Sequence, residues 1–147
     1  MNSQISSRSA DLSDWPRLQN LLRSVNLPLE GAKENLQNFV VLETPDQIVG
    51  TVGLELYGSV ALLRSLAVAE DFQGQGHGRL LYQKILERAV RQGGDEIYLL
   101  TETAEAFFAK AGFTKIAREE ADDRVKRSVE FQSACPASAA CMRLILG

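Results

Sequence analysis

Gln73-Gly74-Gln75-Gly76-His77-Gly78 stands between the apolar run Ala61 to Ala69 and the amphipathic segment Leu80 to Arg91. Strand, glycine-rich turn and helix start is the order this implies, and such a turn aims several unpaired backbone N–H groups at one point. An anion is the expected guest. Gly76 and Gly78 are expected to take positive φ and leave no side chain in the way, so that a phosphate reaches the amides while the helix dipole favours its charge.

The spacing excludes two familiar nucleotide loops. A Walker loop needs Lys-Ser or Lys-Thr after its glycines, and neither follows here. A dinucleotide fingerprint needs Gly-x-Gly-x-x-Gly opening a βαβ unit, whereas Gly74, Gly76 and Gly78 run as Gly-x-Gly-x-Gly and come well inside the chain. What fits is Gln/Arg-x-x-Gly-x-Gly/Ala, filled by Gln73, Gly76 and Gly78, preceded by Leu66-Ala67-Val68 and followed by a helix. This resembles the acetyl-CoA loop of the GCN5-related N-acetyltransferase (GNAT) family.

The resemblance continues downstream. Family members carry Asn-x-x-Ala-x-x-x-Tyr-x-x-x-Gly-Phe, and this chain has Thr101, Ala104, Phe108, Gly112 and Phe113 at those spacings, with two of the five changed. The chain is also similar to a subgroup encoded in arsenic-resistance operons. That likeness rests on Val-Gly-Leu-Glu (52–55), Tyr-Gly (57–58), Ala-Leu-Leu-Arg-Ser-Leu-Ala-Val (61–68), Tyr-Leu-Leu-Thr (98–101), Glu-Phe (130–131), Cys135-Pro136, Ser138-Ala139 and Met142.

The resemblance implies an α+β domain over residues 1–147, with a mostly antiparallel mixed sheet splayed at the acetyl-CoA site and flanked by helices. It implies acetyl-CoA as co-substrate and transfer of its acetyl group to the amine of a small molecule, an amino acid or a toxic amine-bearing compound. A homodimer is common in the family. A fold member that binds acetyl-CoA as a sensor, without chemistry, is the competing expectation.

Composition agrees with one domain, since 147 residues with 45% hydrophobic content can supply one core. The formal net charge is −3 and the basic residues form no dense run, which leaves no footprint for nucleic acid. Met1 to Ala10 is polar, and no apolar stretch is long enough to span a bilayer, so a cytoplasmic protein without membrane contact is expected. Two cysteines in that compartment are expected reduced, and their spacing is not that of a structural zinc site; no metal is expected.

Hydrophobic periodicity and turn residues predict strands over Gln4 to Ser9, Phe39 to Glu43, Ile48 to Tyr57, Val60 to Ala69, Glu96 to Thr101 and Ala139 to Leu146. Helices are expected from an Asp11 or Ser13 cap to Arg23, over Leu80 to Arg91, over Thr103 to Ala111, and within 121–132. Leu12, Trp15, Leu18, Leu22 and Val25 share the buried face of the first.

Acetyl transfer needs a base for the acceptor ammonium, an oxyanion donor, and a proton for the leaving thiolate. The resemblance puts the thioester beside Leu66, Ala67 and Val68, and the pyrophosphate on Gln73, Gly74, Gln75, Gly76, His77, Gly78 and Arg79. Thr101 and Phe108 complete the expected cofactor contacts. Glu55, a carboxylate inside an apolar strand, is the expected catalytic base. His77, the one histidine, contributes its amide while its imidazole is expected to face solvent. Phe108 replaces the family's tyrosine acid, leaving Tyr57, Tyr98 or water to protonate the thiolate. Cys135 and Cys141 are expected to be reduced core or pocket thiols, with a soft-ion role as the alternative.

Overall fold

In a computed structural model, which describes residues 4–146, seven strands form one open sheet in the order β1-β2-β3-β4-β5-β7-β6. β1 (Ser6–Ser9), β2 (Phe39–Glu43), β3 (Ile48–Tyr57) and β4 (Val60–Val68) make an antiparallel meander. The Gly58-Ser59 turn closes its last hairpin, with Gly58 at φ +66°. β5 (Glu96–Thr101) then pairs parallel to β4, and β7 (Ala140–Ile145) runs antiparallel between β5 and β6 (Thr114–Ile116).

β-Branched and leucine side chains alternate between two buried faces, the period-two rule of a strand covered on both sides. Val40, Leu42, Val52, Leu54 and Leu63 pack under α2 (His77–Arg91) and α3 (Glu105–Lys110), against Leu81, Ile85 and Phe108. Phe39, Val41 and Ile48 face α1 (Trp15–Ser24) through Leu18, Leu21 and Leu22. Val60, Leu62 and Tyr98 meet Ala121 and Val125 on the same side as α1. Truncating Leu81 or Ile85, both fully buried, would cost about 2–5 kcal/mol by loss of transfer energy and an unfilled cavity.

Several boundaries differ from the sequence reading. Asp11 does cap, accepting from the Ser13 amide at 2.9 Å, but the turn it caps is a short 3-10 segment, Leu12–Asp14. That tighter turn takes Leu12 out of phase with α1, and Leu12 is 66% exposed. Residues 121–132 are not a continuous helix. They hold a 3-10 turn at Val125–Arg127 and the start of a π turn at Glu130–Ala134, after a separate 3-10 turn at Arg118–Glu120, because charged residues without a 3.6 period present no apolar stripe. The short strand β6 and the 3-10 segment Lys33–Asn38 carried no pattern that announced them. Among the described residues no helix is long and apolar enough to cross a membrane.

Candidate active site

β4 and β5 pair only at Val60–Glu96, Ala61–Ile97 and Leu62–Tyr98. Beyond Leu62 they diverge, so the β5-facing edge of β4 loses its strand partner and opens into a cleft. A bulge lies at the same point of β4. Between the pairs Thr51–Ala67 and Gly53–Arg64, one residue of β3, Val52, stands opposite two of β4, Ser65 and Leu66, and Ser65 takes φ +62° to absorb the extra residue. Positive φ is costly for serine, and such strain concentrates where function needs it.

At the end of β4, Val68 leads to the glycine loop. Gly74 (φ +78°) and Gly76 (φ +88°) adopt left-handed backbone, and a Cβ added at either would meet nothing within 4 Å. Gly78 does not take positive φ; as the second residue of α2 it is helical, and its part is to leave room beside Phe107. The N–H groups of residues 74–79 have no acceptor among the described residues; the first bond of the helix runs from the Leu80 N–H to the Gly76 carbonyl at 3.1 Å. Six free amides at a helix N-terminus form an anion cradle. Gln73 stands at its edge, its side-chain amide donating to the Val68 carbonyl at 2.9 Å. The His77 imidazole does not face solvent as expected: it packs against Phe72, ring centroids 6.3 Å apart, and its buried Nε2 has no partner. Open glycines, free amides and an orphaned imidazole nitrogen together fit a pyrophosphate.

A cavity of about 300 Å³ lies at the splay, lined by Ser65, Leu66, Thr101, Phe108, Glu130 and Cys135, with residues 25–28 closing one side. Leu66, Thr101 and Phe108 thus line one cavity, whereas Val68 and the loop line a separate cleft two residues further along β4. The Thr101 hydroxyl accepts from the Ala104 amide at 3.0 Å, which holds the start of α3 over the cavity. Phe108 is 3% exposed and packs edge-on against Phe107 and Phe113, centroids 5.1 and 5.4 Å away.

Glu55 is buried, but it stands behind the cavity wall and is not among its lining residues. Its Oε1 accepts from the Tyr57 hydroxyl and its Oε2 from Arg64 Nη1 at 2.7 Å. Burial first, then the bond to Glu55, raises the Tyr57 phenol well above its ordinary range. Tyr98 donates to Glu96 at the other end of β5. Neither tyrosine lines the cavity.

Arg64 and Glu130 belong to stretches that carry the subgroup likeness, but the sequence assigns neither a role at the site. Arg64 follows Val60 and Leu62 in strand parity and so points to the α1 side of the sheet, where its side chain is fully buried. It donates to the Ser65 hydroxyl (3.1 Å), the Glu30 and Pro28 carbonyls (2.7 and 3.2 Å) and Glu55, and Nη2 also faces Glu130 Oε2 at 3.4 Å. A cation inside Leu-Leu-Arg-Ser-Leu was the available signal, since an arginine in a buried strand requires acidic partners. Glu130 opens the π turn, and burial raises its carboxyl to about 7 against the opposing pull of Arg64. Burial, with Glu130 beside it, pushes the Cys135 thiol up to about 12. Cys135 and Cys141 are both free thiols.

Residues 35–115 match the acetyltransferase (GNAT) domain model. The chain belongs to the GNAT family of acyltransferases. It is 31% identical to an uncharacterised N-acetyltransferase of Chlorobaculum tepidum over 77% of this chain and 71% of that one. It is 22% identical to the amino-acid acetyltransferase of Pasteurella multocida over 85% of this chain, but spans only 30% of that enzyme. Among solved structures, the GNAT fold superposes on Rv2747 of Mycobacterium tuberculosis in complex with CoA, with a TM-score of 0.80, 26% identity, and coverage of 97% and 99% of the two chains. The N-acetylglutamate synthase of Neisseria gonorrhoeae, complexed with coenzyme A and N-acetyl-glutamate, shares the fold at a TM-score of 0.82 and 20% identity; this chain covers 36% of it.

Proposed function

We propose that this chain is an acetyl-CoA-dependent N-acetyltransferase acting on the amine of a small molecule, an amino acid or a toxic amine-bearing compound. One observation carries the reading. The anion cradle at residues 74–79 and the cavity at Leu66 lie along the same splayed strand, which is the arrangement a long ligand with a pyrophosphate at one end and a reactive group at the other requires. The CoA-bound relatives support the choice of ligand.

The amides of residues 74–79, with His77 and Arg79, hold the pyrophosphate by charge-assisted donation at the helix N-terminus. The free edge of β4 from Leu66 to Val68 takes the pantetheine arm, and Thr101 and Phe108 enclose its end. Bound there, acetyl-CoA supplies an activated acetyl thioester. Unpaired N–H groups of β4 are fixed dipoles at the point where negative charge develops on the carbonyl oxygen, so they stabilise it without reorganising. Glu55, the expected base, holds Arg64 in place from behind the cavity and acts through it. No tyrosine stands where it could protonate the leaving thiolate, and a thiolate leaves readily enough without one.

The arsenic-resistance link rests on the sequence stretches shared with that subgroup. A thiol-release assay across a panel of amines, including amino acids and an amine-bearing arsenical, tests the whole reading. The absence of a tyrosine at residue 108 favours one rival, an acetyl-CoA sensor, which would bind acetyl-CoA and release no CoA with any amine.

A further inference from the structure

We propose that Glu130 is the group that takes the proton from the acceptor ammonium. This rests on the acetyltransferase reading and adds to it the residue that touches the acceptor. Three independent features single Glu130 out among the carboxylates. It lines the cavity while Glu55 does not, and the one other glutamate on that lining, Glu102, is exposed to solvent. It is 3% exposed, so its surroundings are fixed. It sits at the head of a π turn closed by the Cys135 N–H to Glu130 carbonyl bond at 3.1 Å, and single π turns recur at functional sites because they redirect one side chain.

The charges around it favour the same role. Glu130 faces Arg64 from β4, Glu55 and Tyr57 from β3, Glu30 from the 25–31 loop, and Cys135 from its own turn. Arg64 is one cation between two carboxylates. Its hydrogen bonds go to Ser65, Glu30, Pro28 and Glu55, so it compensates Glu55 at 2.7 Å and Glu130 only at 3.4 Å. The less compensated carboxylate is the one that opens onto the cavity, and there a substrate cation completes the balance. Burial raises its carboxyl to about 7, in the range where a carboxylate both exists at neutral pH and accepts a proton from an amine usefully.

The proton inventory closes. R–NH₃⁺ gives one proton to the Glu130 carboxylate, leaving a neutral acid and a neutral amine. The nitrogen lone pair forms the N–C bond as the C–S bond breaks, the second nitrogen proton ends on the CoA sulfur, and Glu130 returns its proton to water.

Glu130→Gln tests this through two readouts. In thiol release with the best amine of the panel, kcat/KM of the parent should rise with pH through a limb near 7 that the variant lacks, with a rate loss of about 10²-fold or more. Acetyl-CoA affinity by calorimetry should not change. The second readout needs no acceptor. The folded carboxyl holds its proton to about pH 7, whereas an unfolded glutamate releases it near its ordinary 4.5, so the parent loses stability as pH rises between those values. The melting temperature of the variant relative to the parent should therefore climb across that window, whereas a carboxyl that stays ionised in the fold would offset it equally at every pH and would remove the proton acceptor poised near neutrality. Glu130→Asp, should the glutamine variant not fold, is expected to keep the limb and lose kcat more than KM. A glutamine variant with an intact limb and more than a third of the parental rate overturns the role of Glu130 alone. A parent that binds acetyl-CoA but acetylates no amine overturns the acetyltransferase reading and this role with it.

Discussion

Arg64 Nη1 meets Glu55 Oε2 at 2.7 Å with the arginine side chain fully buried and the glutamate 6% exposed. The pair ties β3 to β4 where the bulge at Ser65 would otherwise loosen the hairpin, and Arg64 reaches on to the 25–31 loop through the Pro28 and Glu30 carbonyls. Gly31 lies against it so closely that an added Cβ would stand 2.8 Å from Nη1. One guanidinium therefore ties together β4, the 25–31 loop and the Glu130 turn around the cavity.

Removing that cation should be more damaging than removing either anion. Arg64→Met leaves Glu55 and Glu130 buried without their partner, and breaking such a buried pair costs about 3–5 kcal/mol. Urea denaturation is expected to show that loss, and adding Glu55→Gln to Arg64→Met should recover part of it. A double-mutant cycle without coupling would mean that the pair does not act as a unit.

The phosphate cradle gives a sharper test. Gly76→Asp sets a carboxylate among the free amides of the cradle, and also forces a side chain onto a residue at φ +88°. Acetyl-CoA affinity should fall at least tenfold, about 1.4 kcal/mol, by calorimetry. Gly76→Ala separates the contributions, since it carries the backbone strain without the charge and should lose less. Equal affinity in the parent and both variants would remove the loop from the binding site.

Which parts of this were legible follows from how local each signal is. β3 and β4 are long apolar runs joined by Gly58-Ser59, and α2 is an amphipathic helix behind a glycine turn, so each declares itself within about a dozen residues. Leu66, Thr101 and Phe108 could be placed at the splay because family motifs fix their spacing. Glu130 could not. It lies 66 positions from Arg64 in an irregular charged stretch, and nothing nearby tells a buried glutamate from a solvated one; only the long-range contact does. The same reason hid β6, whose exposed Thr114-Lys115 has no apolar alternation and pairs only because β7 is there.

At the other end of the molecule, Asp14 predicts the acid sensitivity of the fold. It accepts from Arg8 in two places at 2.8 Å, from Arg17 at 3.0 Å and from the Asp11 amide, which joins β1 to the entry of α1. The Arg8 bonds, first among these, lower its carboxyl from 3.8 to about 2. Its contribution is present above pH 4 and is lost as pH falls through 2. Asp14→Asn should cost about 1–2 kcal/mol at neutral pH, after screening of the half-exposed arginines. The gap to the parent should close between pH 4 and 2; a constant gap across that range would assign the effect to packing alone.

Phe108 stands where the family motif given above carries a tyrosine, and the ring packs as a core residue would. It is 3% exposed, within 5.1–6.3 Å of the Phe107, Phe113 and Tyr82 rings, and its accessible edge lines the acceptor cavity. Phe108→Ala should lose about 3–5 kcal/mol, because a ring-sized void in an aromatic cluster cannot collapse fully. Phe108→Tyr adds one hydroxyl at the cavity edge, where water or a thiol can accept its proton, so it should fold with a melting temperature near the parent's. A CoA thiolate is a good leaving group, and a phenol beside it adds a proton donor that the reaction uses but does not need. Thiol release by the tyrosine variant is thus expected to equal or exceed the parent's, measured at saturating acetyl-CoA with the best amine of the panel. If that variant stays folded yet loses most of its turnover, the bare ring is in contact with the acceptor itself, and residue 108 sets which amine fits.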